Sequence, residues 1–188
     1  MKTRQDLRRI ALLSLPVVLA ADAVARRRVW PRPVAGFLDE AAHLGTGLVT
    51  LAACRRESPE FAAGLLAGSV LLDVDHVPDV VGVHWLRPRG MRPLPHSVAT
   101  LLLLATRPRL DGALVGVAAH LARDLATGTN AVPLMWPFWK RPFEVRYGWY
   151  AAGLIAVAAL AQSRIRLGAS SPRVAPRKST TAGEEAST

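Results

Sequence analysis

Six apolar runs, separated by short stretches rich in Arg and Pro, dominate the pattern of hydrophobic and polar positions along this chain. Their apolar residues are mainly Ala, Leu and Val, which favours helix over sheet. A transmembrane helix needs about 20 apolar residues, so the short fourth and fifth runs are expected to be sheltered inside a bundle. The pattern therefore predicts an all-α fold, a polytopic transmembrane bundle of five or six helices. The six runs are 10–25, 34–54, 61–83, 93–106, 112–126 and 148–162.

The two ends of the chain differ from its middle. The first run could pass for the apolar part of a signal peptide, but it ends in three arginines without a clear small-residue cleavage site. An uncleaved first helix, kinked at Pro16, is the favoured interpretation. Beyond residue 162 the sequence is polar and lacks periodicity. We therefore expect one membrane-embedded domain over 1–162 and a disordered tail over 163–188.

Composition and charge sharpen this picture. The chain has 188 residues, of which 51% are hydrophobic, and a net charge of +10. The basic residues lie between the apolar runs and at the ends, so the predicted partners are anionic membrane lipids, and no nucleic acid is expected. The single cysteine, Cys54, excludes an internal disulfide and a cysteine-based zinc motif. We expect an integral protein of a bacterial inner membrane.

Clusters of acids and histidines interrupt the apolar runs. Ionised carboxylates in apolar surroundings are costly unless they are paired or bound to a cation. Carboxylates and imidazoles together are the donors that a divalent metal needs. The clusters indicate a metal site, and they lie at Asp39–His43, Asp73–His76, Pro95–Ser97 and His120–Asp124.

Two of these clusters repeat one spacing. His120 and Asp124 are four residues apart, as are Asp39 and His43, so each pair shares a helix face. Such a pair can hold a metal together, or the acid can orient the imidazole. A hydrogen-bonded or salt-bridged pair is the structural alternative, and Arg123 offers a partner for Asp124.

Asp73, Asp75 and His76 form the strongest cluster, because three ligand-type side chains fall within four residues after an apolar stretch. On a helix, Asp73 and His76 share a face while Asp75 diverges. In an extended segment, Asp73 and Asp75 align instead. Pro78 predicts that the helix ends about here.

Other residues near the clusters are assigned to structure. Glu40 is expected to point elsewhere on its helix than Asp39 and His43. Gly45 and Gly47 would let another helix approach closely. Ser97, after His96, fits the N-cap of a helix over 98–105.

Alternating crossings of the six runs place all four clusters at the same membrane face, which predicts that they form one site. The distribution of Lys and Arg weakly favours an outward-facing site. The donors suffice for two metals, which would lower the pKa of a bridging water and hold a phosphoryl or acyl oxygen. Arg87, Arg89 and Arg92 could hold an anionic substrate or lipid headgroups.

With these residues in view, the chain resembles the YdjM-like family of membrane-bound, metal-dependent hydrolases over about residues 43–138. Two departures are Leu72, where Pro often precedes the Asp-x-Asp motif, and Pro88-Arg89-Gly90, where His-Arg-Gly is usual. The resemblance implies a divalent-metal hydrolase site at His43, Asp73, Asp75, His76, His96, His120 and Asp124. It is carried by His43 with Gly47, Asp73-x-Asp75-His76, His96-Ser97, His120-x-x-x-Asp124 with Thr127-Gly128, and Pro133-Leu134-x-Trp136-Pro137.

The sequence thus predicts a membrane hydrolase in which a metal-activated water attacks a phosphoester of a lipid or lipid-linked substrate. One or two divalent ions, zinc or manganese/magnesium, are expected. Catalytic roles are assigned to Asp39 and to His76, the latter as a further ligand or a base beside the metal. A cation-binding transporter and a non-catalytic membrane scaffold are the alternatives. The expected ligands are His43, Asp73, Asp75, His96, His120 and Asp124.

Overall fold

The all-α prediction is confirmed by the computed structural model, which describes residues 4–27, 29–56, 58–76, 95–127, 132–136, 138–139, 141 and 143–170. Two 3-10 segments, Leu71–His76 and Pro108–Leu110, lie among the α-helices. The α-helices are α1 (Arg4–Leu12), α2 (Ser14–Ala25), α3 (Arg32–Ala53), α4 (Pro59–Val70), α5 (Val98–Ala105), α6 (Asp111–Thr127) and α7 (Tyr147–Ser170).

The helix bounds differ from the apolar runs at both ends of the chain. The first run is divided, because α1 ends at Leu12 and α2 begins at Ser14. The missing amide of Pro16 and its clash with the preceding turn account for a break here. At the other end, α7 continues to Ser170, past the expected boundary at residue 162. Residues 171–188, where the rest of the disordered tail is predicted, lie outside the described residues.

Membrane crossing is a separate question from helix formation. Within the residues that the structure describes, no helix is both long enough and apolar enough to cross a bilayer. The polytopic arrangement stays a prediction.

Helix α3 lies at the centre of the bundle and contacts α1, α2, α4, α6 and α7. A Cβ at Gly45 would collide with the Val18 side chain of α2, and a Cβ at Gly47 would lie 2.5 Å from Ser69 Oγ of α4. Both glycines therefore permit the close helix approach that the sequence predicts. On another face, Thr46 Oγ1 and Tyr150 Oη of α7 share a buried hydrogen bond of 2.7 Å.

Helices α4 and α6 form the most extensive contact in the fold. A Cβ at Gly68 would lie 2.5 Å from the Ala113 carbonyl oxygen, and one at Gly116 would lie 2.9 Å from the Ser69 amide nitrogen. Only glycine fits such a backbone approach. The contact fixes α6, which carries His120 and Asp124, against the end of α4 that leads to Asp73.

The turn before α5 is held by the loop that follows α6. The Val98 amide donates to the Leu134 carbonyl at 2.6 Å, and Thr100 Oγ1 donates to the Pro95 carbonyl at 2.7 Å. Ser97 occupies the predicted N-cap position of α5, although its hydroxyl makes no capping hydrogen bond. These two hydrogen bonds hold the turn that carries His96.

Candidate metal centre

Five predicted ligands come together from four separate segments of the chain. His43 lies in the middle of α3, Asp73 in the 3-10 segment after α4, His96 in the turn before α5, and His120 and Asp124 on α6. The three histidines are 0% exposed and Asp124 is 1% exposed. The structure therefore brings residues of all four predicted clusters close together.

We call Asp73, His96, His120 and Asp124 site A. The Nε2 atom of His96 lies 3.2 Å from Asp73 Oδ1 and 3.3 Å from Asp124 Oδ2. The Nε2 atom of His120 lies 3.6 Å from Asp73 Oδ1, 3.1 Å from Asp124 Oδ2 and 3.3 Å from His96 Nε2. Ligands bound about 2.1 Å from a tetrahedral ion lie about 3.4 Å from one another. The donor separations in site A therefore match those around one tetrahedral cation.

His120 presents the correct ring nitrogen to this site. Its Nδ1 lies 2.9 Å from the carbonyl oxygen of Ser69. A carbonyl can only accept, so Nδ1 carries the proton and the lone pair is on Nε2. Histidines that bind metals are commonly oriented in this way.

A second group, which we call site B, consists of Asp39, His43 and Asp73. The Nε2 atom of His43 lies 3.5 Å from Asp73 Oδ2 and 3.9 Å from Asp39 Oδ1. It also lies 3.2 Å from Asp124 Oδ1. Asp73 and Asp124 each direct one oxygen to the site A histidines and the other to His43, so both carboxylates lie between the sites.

The imidazole rings of His43 and His120 stack, with centroids 3.7 Å apart and planes 8° from parallel. Burial lowers the pKa of His43, and the neighbouring His120 and Arg123 lower it further. Burial also lowers the pKa of His120, but the carboxylates of Asp124 and Asp73 more than offset that effect and raise it to about 10. Without a cation, the raised pKa favours a second proton on His120, at Nε2 where a cation would bind, and this imidazolium offsets part of the negative charge of Asp73 and Asp124.

Glu40 belongs to this group, and the expectation that it points elsewhere on α3 is wrong. Burial raises the pKa of Glu40 to about 7, together with the carboxylates of Asp73 and Asp39 and a hydrogen bond to Asp73. Glu40 and His43 are three residues apart on α3, which makes them neighbours on its surface, and the 3-10 segment brings Asp73 to Glu40 from across the bundle. The contact with Asp73 depends on tertiary packing, whereas the three-residue spacing of Glu40 and His43 is a signal that the sequence contains.

Arg123, offered by the sequence as a partner for Asp124, ion-pairs with Asp22 and Asp39. Its Nη2 atom lies 2.7 Å from Asp22 Oδ1, and its Nη1 atom donates to Asp39 Oδ1. Burial lowers the pKa of Arg123, but Asp39 and Asp22 reverse the shift and raise it above its usual value. Tyr147 Oη donates to Asp22 Oδ2 at 3.2 Å. Sequence reasoning missed Asp22 as a member of this network; its signal was a single acid within an apolar run.

Some predicted residues fall outside this description. Asp75 and His76 lie in the 3-10 segment, but their side chains are not among those described. Arg87, Arg89 and Arg92 also lie outside the described residues.

Sites A and B could each hold a metal ion, because the donor atoms within each group lie within 4.8 Å of one another. Mixed imidazole and carboxylate donors suit zinc and manganese. Comparison with protein families, curated proteins and solved structures gave no match to this chain.

Proposed function

We propose that this chain is a hydrolase that uses two divalent cations to cleave a phosphoester. The observation that carries the proposal is the arrangement of Asp73 and Asp124, each of which has one oxygen near the site A histidines and the other near His43. Carboxylates between two ion sites are a means of holding two cations close together. Such a pair supplies an activated water and a clamp on phosphoryl oxygens.

The protein's own residues have distinct roles in this proposal. His96 and His120 complete site A, and His43 with Asp39 completes site B. Ser69 keeps the His120 lone pair on Nε2 through its carbonyl. Asp39 also pairs with Arg123, so it connects site B with the ion pair between Arg123 and Asp22. Roles for Asp75 and His76 remain predictions of the sequence, as does membership of the YdjM-like family.

The alternatives account less well for this geometry. A scaffold that only neutralises buried acids needs cationic partners, as Asp22 has in Arg123. In site A, two imidazoles approach each other as closely as they approach the acids, with 3.3 Å between His96 and His120 Nε2. An N–H···N hydrogen bond is one account of that contact, and a shared cation accounts for it together with the carboxylate oxygens around both nitrogens. A transport path would spread its ligands, whereas these converge in one cluster.

The test is metal content together with hydrolysis of bis(p-nitrophenyl) phosphate by purified protein. We expect bound zinc or manganese, and turnover that Asp124→Asn lowers at least about 100-fold, since removal of a metal ligand disturbs both affinity and activity. Asp111→Asn is the matched control, because Asp111 lies on the same helix but pairs with Arg56 at the surface. Metal content and turnover unchanged in Asp124→Asn would refute the proposal.

We also propose that the bundle contacts membrane lipid, in keeping with the lipid or lipid-linked substrate that the sequence predicts. On α5, Leu102 and Leu103 are 56% and 64% exposed, and no residue of that helix is buried. On α7, Trp149 and Leu167 are 74% and 70% exposed. Large apolar surfaces of this kind mark contacts with lipid or other proteins.

Cell fractionation followed by carbonate washing tests this contact. We expect the chain to stay with the membrane pellet, because apolar contacts resist alkaline washing while electrostatic ones do not. Complete release into the supernatant would contradict a lipid-embedded surface.

A further inference from the structure

A cavity of about 640 Å³ lies beside site B, between α2, α3 and α6. We propose that it binds the phosphate group and the adjoining apolar part of an amphiphilic phosphoester. The proposal rests on the proposed function, because it names the class of substrate for the same metal centre. Its volume falls within the range of pockets that bind small molecules, about 300 to 1,000 Å³.

Asp39 connects the cavity with the metal centre. Its side chain lines the cavity, is 38% exposed, and has Oδ1 at 3.9 Å from His43 Nε2. Arg123 lines the same wall and holds Asp39 by a charge-assisted hydrogen bond. A ligand in the cavity would therefore lie next to the donors of site B.

The cavity is lined by more cationic side chains than acidic ones. Three arginines and two aspartates line it, which leaves a formal charge of +1. Asp22 is only 1% exposed and is held by Arg123 and Tyr147, so its charge is compensated before a ligand enters. Arg26 and Arg27 are exposed at this wall. Arginine at an accessible wall is well suited to a phosphate, which it can bind in a bidentate fashion.

Arg26 is held in place by contacts with α2 and α7. Its guanidinium carbon lies 3.5 Å from the centroid of the Tyr147 ring, and its Nε donates to the Asp22 carbonyl at 3.2 Å. Because that side chain is partly ordered before binding, less conformational entropy is lost when a phosphate arrives.

The remaining wall suits an apolar group. Val29 and Trp30 line the cavity together with Ala25 and Ala35. The Trp30 Nε1 group donates to the Val24 carbonyl at 3.1 Å, which fixes the indole beside the arginines. An apolar chain or ring joined to a phosphate can contact both the arginines and the apolar wall, whereas a free phosphate can contact only the arginines.

Calorimetric titration of the purified protein with hexyl phosphate, inorganic phosphate and hexanol tests the inference. We expect hexyl phosphate to bind more tightly than either fragment, because only it fills both walls. Arg27→Gln should weaken hexyl phosphate binding about tenfold, the size expected for loss of one charge-assisted contact. Arg27→Lys should restore part of it, and Arg55→Gln, an exposed arginine away from the cavity, should leave it unchanged.

The same titration on chelator-treated protein separates this inference from the proposed function. Binding of hexyl phosphate that persists without metal and still depends on Arg27 supports the cavity, even if the protein proves inactive as a hydrolase. Suppose instead that binding is lost with the metal and is unchanged by Arg27→Gln. That result would refute binding in the cavity, because the cation alone would then hold the phosphate. Equal binding of hexanol and hexyl phosphate would overturn the assignment of an anionic ligand.

Discussion

The hydrogen bond from His120 Nδ1 to the Ser69 carbonyl decides which ring nitrogen of His120 is available to a cation. The position of the two carboxylates decides how many cations can be held. Asp73 Oδ1 lies near His96 and His120, while Asp73 Oδ2 lies near His43. A bridging acid and a terminal imidazole should therefore respond differently to substitution.

We expect Asp73→Asn to remove both ions, because sites A and B share this residue. His43→Leu, which keeps an apolar side chain in a buried position, should leave the site A ion in place and reduce the content to about one ion per chain. Elemental analysis of the purified variants gives the ratio directly. Loss of all metal from His43→Leu, in protein that still folds by circular dichroism, would indicate one shared site rather than two.

The contact between α4 and α6 connects helix packing with the metal centre. Gly116 lies against the backbone of Leu65 and Ser69, and Ser69 supplies the carbonyl that orients His120. The glycine is needed because backbone atoms of the other helix, which cannot rotate away, fill the place of a side chain. Any widening of this contact would move the Ser69 carbonyl.

Gly116→Ala should lower the free energy of unfolding by about 1 to 3 kcal/mol, as overpacking of a close contact does, and it should weaken metal binding. Denaturant unfolding and metal titration measure the two effects. Gly153→Ala on α7 is the matched control, because a Cβ there meets nothing within 4 Å. That control should be neutral or stabilising by up to about 1 kcal/mol, since Ala favours helix over Gly. Equal effects of both substitutions would contradict the packing argument.

Charged groups tie the bundle together at its centre. Arg123 of α6 joins Asp22 of α2 to Asp39 of α3. The candidate metal centre adds connections from the 3-10 segment and from the turn before α5. A bound cation would thus link segments that are far apart in the sequence, and its energy would contribute to the stability of the whole fold.

Removing metal should therefore lower the melting temperature. A ligand present at 100 times its dissociation constant stabilises by about 2.7 kcal/mol, which corresponds to roughly 5 to 10 °C for a chain of this size. Thermal unfolding with and without a chelator measures the shift. Asp124→Asn should melt at the same temperature in both conditions, and an equal shift in that variant would show that the chelator acts elsewhere.

Much of the fold could be predicted from the apolar runs, because helix formation depends on neighbours three and four residues away. The runs 34–54 and 112–126 correspond closely to α3 and α6, and Ser97 occupies the predicted N-cap of α5. The site could be anticipated for a related reason, since acids and histidines in apolar surroundings need partners, and the predicted alternation of the runs placed them on one side.

The chain order of acids and histidines was enough to indicate that His43, Asp73, His96, His120 and Asp124 meet, since a buried charge anywhere in an apolar helix requires a counter-charge or a cation. Tertiary packing alone decided the rest. It placed Glu40 beside Asp73 and paired Arg123 with Asp22 and Asp39. It also directed the two carboxylate oxygens of Asp73 to different histidines. Those pairings depend on how each helix is rotated and how closely the helices approach, which are properties that arise only when distant segments pack together.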